Sequence, residues 1–352
     1  MIYDKDGFLY PQIDVNECSN CGLCKKVCPV NNNKNETKKP LDIFAAFNNN
    51  EDIRLSSSSG GIFSLFAEWV INSGGIVFGA AFDKEWGVSH LSVETIGDLP
   101  KLRGSKYVQS NIGDSFSQAE KELKKGRLVL FTGTPCQIAG LQAFLRQHYD
   151  NLILIDILCH GVPSKRVFQS YIQEITHNKK IDYINMRSKK QGWKNYHFDI
   201  NNYSESWHED TFMRAFLNNL ILRPSCYSCL YKDGKTFSDI SLGDFWGVKQ
   251  CHKELDDDKG ISIVLINTEK GRELFDKIGV IHKTRILLNE ASIYNSGLTG
   301  LVKPHKNRSK FFKKLHSSPN VTVLMERLLK PSIWKHIKYT IATHIYKLLH
   351  IR

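Results

Sequence analysis

Four cysteines near the amino terminus have the spacing of iron–sulfur ligands. Cys18, Cys21, Cys24 and Cys28 follow one another as C-x2-C-x2-C-x3-C, and a proline comes directly after. Two intervening residues allow successive thiolates to surround one cuboidal 4Fe–4S cluster, whereas zinc ribbons use two C-x2-C pairs that are well separated in sequence. The spacing therefore predicts a 4Fe–4S cluster.

The sequence contains only one copy of this motif. In two-cluster ferredoxins the fourth cysteine of such a run binds the other cluster, so three cysteines here lack a fourth ligand. Either Cys28 completes the cluster itself, or another residue does, or a first motif once preceded Met1 in a longer form of the chain. The third interpretation is favoured, because residues 3–14 look like the hairpin that joins two such motifs.

A second group of cysteines lies farther along the chain. Cys136 and Cys159 each follow a predicted strand and precede a predicted helix, so neighbouring parallel strands would bring both to the ligand-binding edge of a sheet. Adjacent strands lie about 5 Å apart, and Cys226 with Cys229 could supply two more thiolates to one cluster. Two alternatives to this hypothesis remain open. Cys136 and Cys159 could be small buried hydrophobic residues, and Cys226 and Cys229 could form a redox dithiol or a zinc half-site. The ninth cysteine, Cys251, is predicted to be structural.

Two polar stretches have features of anion-binding loops. Residues 56–61 read Ser-Ser-Ser-Ser-Gly-Gly and precede a predicted helix, where backbone amides and the helix dipole favour phosphate. Residues 103–107 offer two cations and an aromatic ring beside a glycine. A capped helix start and a solvated loop are the simpler interpretations of these two stretches.

The pattern of strands and helices predicts an α/β fold, α+β overall. A small ferredoxin-like head is joined to a mixed, largely parallel sheet body that ends in a helical tail. The expected divisions are a 4Fe–4S module at 1–33, a linker at 34–40, an amino-terminal-type region at 41–120, a carboxyl-terminal-type region at 121–300 and a basic tail at 301–352.

Composition narrows the class of protein. The 352 residues carry a formal charge of +12, yet no nucleic-acid motif accompanies the basic residues, so nucleic-acid binding is not predicted. The start of the chain lacks a secretory signal, and the most apolar stretch, residues 62–82, is interrupted by polar residues and glycines. Free cysteines are then expected to serve metal or redox chemistry in the cytoplasm.

The last residues, 330–352, alternate apolar and basic positions at helical spacing. Such a helix packs on its own domain or makes peripheral contact with an anionic membrane.

Six sequence pieces occur in one order along the chain. They are Ser58-Ser59-Gly60-Gly61, Gly104-Ser105-Lys106-Tyr107, Gly133-Thr134-Pro135-Cys136-Gln137-Ile138, Cys159-His160-Gly161-Val162-Pro163, Cys226-x2-Cys229 and Asp239-Ile240-Ser241-Leu242-Gly243-Asp244-Phe245-Trp246-Gly247. Together with the cysteine motif at the amino terminus, this series resembles the coenzyme F420 hydrogenase/dehydrogenase beta-subunit family.

The resemblance implies a flavin-dependent reductase. FAD would exchange a hydride with coenzyme F420 or another small molecule, and a 4Fe–4S cluster would carry single electrons to or from a redox partner protein or ferredoxin. Cys136, Cys159, Cys226 and Cys229 match the cysteines assigned to that cluster. The flavin region would include Ser59, Gly60, Gly61 and Lys106. No catalytic residue is derived from the sequence.

The alternative function is a non-catalytic electron-transfer subunit for a partner enzyme, for example one in surface-polysaccharide biosynthesis. A third hypothesis is a degenerate member of the family that keeps the fold without a working electron path. Bound flavin would separate the first function from the other two, and reducible iron would separate the second from the third.

Overall fold

The computed structural model describes residues 1–28, 30–31, 39–232, 234–279 and 281–330. The amphipathic helix expected at the carboxyl end falls on residues 331–352, outside the described part of the chain. Within the residues that the structure describes, no helix is long and apolar enough to cross a membrane.

The strands, in chain order, are β1 (Ile2–Tyr3), β2 (Leu9–Tyr10), β3 (Asp42–Asn48), β4 (Ile76–Phe82), β5 (Val88–Val93), β6 (Val129–Gly133), β7 (Leu152–Ile157), β8 (Ile184–Ser188), β9 (His197–Ile200), β10 (Tyr203–Ser206), β11 (Ile240–Asp244), β12 (Ser262–Ile266) and β13 (Ile281–Arg285).

The α-helices are α1 (Leu23–Lys26), α2 (Glu51–Ser56), α3 (Ile62–Asn72), α4 (Ser115–Lys124), α5 (Pro135–Leu145), α6 (Lys165–Ile175), α7 (Thr211–Leu217), α8 (Val248–Cys251), α9 (Glu269–Lys277), α10 (Leu288–Ser292), α11 (Arg308–Leu315) and α12 (Val321–Leu329).

One eight-stranded sheet organises the body, with the strand order β13-β3-β12-β11-β7-β6-β4-β5. The four strands β11, β7, β6 and β4 run parallel to one another in its centre. The strands on both sides pair antiparallel. The α/β fold class is therefore confirmed, and the parallel arrangement that the sequence predicts is confined to the middle of the sheet.

Strand β7 shows why the central strands are nearly continuous apolar runs. Ile153 and Ile155 pack on one face of the sheet with residues of α3 and α9. Leu152 and Leu154 pack on the other face with residues of α4 and α5. Parallel strands covered by helices on both faces need apolar side chains at successive positions. Asp156 is the exception in this strand, and it lies beside the site described below.

The amino-terminal hairpin of β1 and β2 confirms the hairpin expected in residues 3–14. It packs on the body: Phe8 is fully buried in a core cluster that contains residues of α6, α7, α11 and α12. The ring centroids of Phe8 and Phe312 are 5.8 Å apart, and Ser164 donates a hydrogen bond to the backbone of Asp6. The first ten residues therefore contribute to the core of the body. The boundaries drawn for the domains from the sequence stay a prediction.

Candidate metal centre

Two cysteines meet at the carboxyl edge of the central strands. Strands β6 and β7 are adjacent and parallel, with Gly133 opposite Asp156. Cys136 follows β6 in the first turn of α5, which begins at Pro135 and is capped by Thr134. Cys159 follows the end of β7. Because both strands end at the same edge, the sheet brings these two cysteines together.

The Cys226–Cys229 pair reaches the same edge through a contact between two loops. The loop after β7 pairs with the segment before Cys226 in an antiparallel bridge between Pro163 and Leu222. The Arg223 amide donates a hydrogen bond to the Val162 carbonyl at 2.9 Å. Gly161 lies against this segment, and an added Cβ would be 2.9 Å from the Leu222 side chain. Gly161 also has a φ of 153°, which other residues rarely adopt, so glycine suits this close approach of the loop to Cys226.

The four thiols form one electrostatic group. Desolvation raises the pKa of Cys159 strongly, and the Cys136, Cys226 and Cys229 thiols each raise it further. Desolvation raises the pKa of Cys226 to about 11, and the Cys136 and Cys229 thiols contribute to this increase. Desolvation and the Cys229 thiol raise the pKa of Cys136. Cys136 is exposed and the other three cysteines are partly buried. Four thiols from three separate segments are suited to share the positive charge of a bound metal centre.

Two of these cysteine sulfurs have hydrogen-bonding groups close to them. The Tyr231 amide donates to the Cys229 sulfur at 3.4 Å, and the Thr134 hydroxyl lies 3.1 Å from the Cys136 sulfur. Hydrogen bonds to sulfur are among the features that tune iron–sulfur clusters.

In the described residues no three His, Cys, Asp or Glu side chains surround a single metal ion. Four thiolates around an inorganic cluster form a wider arrangement than the ligands of a single metal ion. We call the four residues Cys136, Cys159, Cys226 and Cys229 the cysteine tetrad.

Sequence reasoning missed a buried cation at the tetrad. Lys232, three residues after Cys229, is 4% exposed. Its ammonium group donates hydrogen bonds to the carbonyls of Cys159 and, at 3.2 Å, His160. A lysine just after a C-x2-C pair was the available signal, but lysines are common in this chain, and only the tertiary structure shows that this one is buried.

A small cavity of about 100 Å³ also lies beside Cys159. Asp156 lines it and is 1% exposed, and burial raises the pKa of its carboxyl group to about 6. The hydroxyls of Thr236, Ser238 and Ser241 lie against this carboxyl group and partly oppose the shift. A charged residue inside an otherwise apolar strand was a sequence signal for this position, and the sequence interpretation did not use it.

The amino-terminal motif is more open than the tetrad. Cys18, Cys21 and Cys24 are exposed, and Cys28 is partly buried. Gly22 has a φ of 70° immediately before α1, so a left-handed turn separates the second and third cysteines. The phenol of Tyr231 interacts electrostatically with Cys28 and also with two tetrad cysteines. The last cysteine of the motif therefore lies on the side of the head that faces the tetrad.

The serine–glycine turn predicted to bind flavin is held by protein groups. Ser59 donates a hydrogen bond to the Ile261 carbonyl at 3.0 Å, and the Gly60 amide donates to the Ser262 hydroxyl at 2.9 Å. Gly61 is buried with a φ of 79° and immediately precedes α3. These bonds fasten the turn to the start of β12.

Lys106 is engaged in the same way. Its ammonium group donates hydrogen bonds to the carbonyls of Leu102, Arg103 and Gly104 at 3.0–3.1 Å. Desolvation lowers the pKa of Lys106 to about 7. The structure thus places the predicted flavin residues in one region but satisfies their polar groups internally, and their role toward flavin stays a prediction.

Comparison with protein families identifies the central part of the chain. Residues 126–291 match the family described as the C-terminal part of the beta subunit of coenzyme F420 hydrogenase/dehydrogenase. Over this region the chain is therefore similar to the coenzyme F420 hydrogenase/dehydrogenase beta-subunit family. Residues 11–32 match a 4Fe-4S binding domain. The resemblance drawn from the sequence is confirmed, and the family region contains the whole tetrad.

Two known proteins are similar to the chain. The coenzyme F420-dependent sulfite reductase of Methanocaldococcus jannaschii is 26% identical over 264 residues, which are 72% of this chain and 40% of that protein. The chain thus matches less than half of that curated relative. A structure of the F420-reducing NiFe hydrogenase complex from Methanosarcina barkeri, solved for xenon derivatization, aligns with a TM-score of 0.54 and 18% identity over 80% of this chain and 94% of its own. At this identity the likeness shows a shared fold.

The sequence suggested no role for the segment Gly243–Gly247, and the structure gives it a packing role. Asp244 accepts hydrogen bonds from Arg187 and from the Trp193 indole, and Trp246 stacks on Trp193 with ring centroids 4.7 Å apart. An added Cβ at Gly243 would be 2.4 Å from the Leu158 side chain. Close packing therefore explains the small and aromatic residues of this segment.

Proposed function

We propose that the chain is an iron–sulfur oxidoreductase subunit whose cysteine tetrad holds a 4Fe–4S cluster. The observation that carries the proposal is the convergence of Cys136, Cys159 and the Cys226–Cys229 pair from three separate segments. Such a cluster, when bound, exchanges single electrons. The family match and the 4Fe-4S match at residues 11–32 support the same class of chemistry.

The chain's own groups suit this role. The raised pKa values of Cys136, Cys159 and Cys226 keep these thiols protonated near neutral pH in the absence of metal, so cluster binding releases their protons. The Thr134 hydroxyl and the Tyr231 amide then orient the sulfurs. The loop contact at Gly161 holds the Cys226–Cys229 pair close to Cys159.

The amino-terminal motif is proposed to hold the second cluster of an electron path. Tyr231 interacts electrostatically with Cys28 and also with the tetrad cysteines Cys136 and Cys229. An electron from a redox partner protein or ferredoxin would enter at the exposed motif and pass to the tetrad. Exposure of Cys18, Cys21 and Cys24 supports this order, because a partner has to approach the entry site closely.

A finer proposal concerns FAD as the two-electron partner of the tetrad, with coenzyme F420 or another small molecule as the hydride donor or acceptor. It is supported by the family resemblance and by relatives that are named for coenzyme F420. The internal bonds of Ser59, Gly60 and Lys106 favour the second candidate, a non-catalytic electron-transfer subunit for a partner enzyme.

The test is anaerobic purification followed by quantitation of iron, acid-labile sulfide and flavin. We expect about eight irons per chain in the wild type, for two 4Fe–4S clusters, and about four in a Cys226→Ala/Cys229→Ala variant. Cys251→Ala is the matched control and should keep all its iron. A tetrad variant that retains the full iron content would refute the cluster site. FAD in the wild type would favour the reductase, and its absence beside a full iron content would favour the electron-transfer subunit.

A further inference from the structure

Lys232 occupies an unusual place for a lysine. Its side chain is 4% exposed and its ammonium group donates to two backbone carbonyls, those of Cys159 and His160. Among the residues that the structure describes, neither hydrogen-bond acceptor of this ammonium group is a carboxylate. A buried ammonium group without an anion is costly, so a negative charge is expected nearby.

The tetrad is the source of that charge. Four thiolates contribute four negative charges, which exceed the positive charge of a 4Fe–4S core, and reduction adds one more. The Lys232 ammonium group is hydrogen-bonded to the backbone of the ligand Cys159 itself. Its charge also acts on the Cys159 thiol and lowers its pKa, against the stronger effect of desolvation.

We infer that Lys232 is a positioning and charge-compensating residue that raises the reduction potential of the tetrad cluster. The inference rests on the proposed function, since it requires a cluster at the tetrad. Reduction places one electron from the titrating reductant on the cluster, and no bond is made or broken at Lys232. Because Lys232 is buried, its fixed positive charge is weakly screened by solvent and stabilises the more negative, reduced state. Without that charge the cluster should be harder to reduce.

The test is a redox titration of the full chain in a Cys18→Ala/Cys21→Ala/Cys24→Ala background, which leaves only the tetrad cluster. Lys232→Met removes the charge and keeps a long side chain, and Lys232→Arg keeps the charge. Lys249→Met removes the same charge from an exposed position in α8. Midpoint potentials are read from the visible absorbance and from the electron paramagnetic resonance signal of the reduced cluster, after iron content has been measured.

We expect a more negative potential for Lys232→Met, and potentials close to the background protein for Lys232→Arg and Lys249→Met. Loss of iron from Lys232→Met alone would also support the inference, because only the uncharged variant would fail to hold the anionic cluster. Full iron with an unchanged or more positive potential in Lys232→Met would overturn it, as would equal loss of iron from both Lys232 variants. A background protein without iron would instead refute the cluster site of the proposed function.

Discussion

Arg187 and Asp244 form a buried ion pair that joins two sheets. Strands β8, β9 and β10 form a separate three-stranded sheet in the order β10-β9-β8. The two terminal nitrogens of Arg187, in β8, donate to the two carboxylate oxygens of Asp244 at 3.0 and 3.2 Å. Asp244 ends β11 in the eight-stranded sheet, and the side chains are 2% and 18% exposed. The guanidinium carbon also lies 4.2 Å from the ring centroid of Tyr196. The ion pair thus fixes the position of the three-stranded sheet relative to the eight-stranded sheet.

Removing one partner of this pair should be strongly destabilising. We expect Asp244→Ala to lower the free energy of unfolding by about 3–5 kcal/mol, because Arg187 would stay buried without its counter-charge. Urea unfolding followed by circular dichroism measures the change. The control is Asp98→Ala, which breaks an exposed ion pair with Lys101 and should have little effect on stability. Equal, small effects of both substitutions would show that the pair does not hold the sheets together.

The amino-terminal hairpin should contribute to the stability of the whole body. Phe8 is fully buried and its ring contacts Phe312, so Phe8→Ala is expected to cost about 3–5 kcal/mol through lost burial and an unfilled cavity. Ile2, on the same hairpin, is 50% exposed, and Ile2→Ala should cost far less. Thermal unfolding of the two variants would compare them. A Phe8→Ala body that melts like the wild type would mean that the hairpin belongs to an independent head.

The serine–glycine turn offers a way to separate a structural role from a flavin role. A Cβ added at Gly60 would lie 2.5 Å from the Ala46 carbonyl oxygen, so Gly60→Ala should destabilise the protein by about 1–3 kcal/mol through overpacking. At Gly97 the nearest atom is 3.9 Å away, and Gly97→Ala should be tolerated. Chemical unfolding measures the difference. A Gly60→Ala protein of unchanged stability that loses bound flavin would assign the turn to the cofactor instead.

His90 should make stability depend on pH. Its ring stacks on Phe131, its Nε2 lies 3.0 Å from the Thr132 carbonyl oxygen and its Nδ1 lies 2.7 Å from the Ser110 hydroxyl, which fits a neutral ring. Desolvation lowers the pKa of His90 from 6.5 to about 4. The folded state therefore binds fewer protons than the unfolded state between these values, so this contribution is complete above pH 6.5 and is lost as the pH falls toward 4.

The expected size of this effect is about 2 kcal/mol at pH 5 relative to pH 7.5. Urea unfolding of the wild type and of His90→Gln at both pH values isolates it, because other titrating groups contribute equally to the two proteins. The wild type should lose more stability than the variant on acidification. Parallel losses would show that His90 takes up no extra proton on unfolding.

Local sequence determined much of this protein. Helix α3 and strand β4 begin and end where the pattern predicts, because the glycines before α3 and the Gly74-Gly75 pair after it interrupt regular structure at those points. The cysteine spacing near the amino terminus predicted the 4Fe-4S match, and the ordered motifs predicted the family. These signals lie in short segments, so they are readable without knowing the packing.

The tertiary structure alone decided which distant groups meet. Cys159 and Lys232 are 73 residues apart, and Arg187 and Asp244 are 57 apart. Nothing in their local sequence indicates that the lysine is buried or that the arginine has an anionic partner. Such contacts depend on the strand order of the sheet and on how loops close over its edge. They are set by the packing of the whole chain, because a charge can be buried only where distant segments supply its partner.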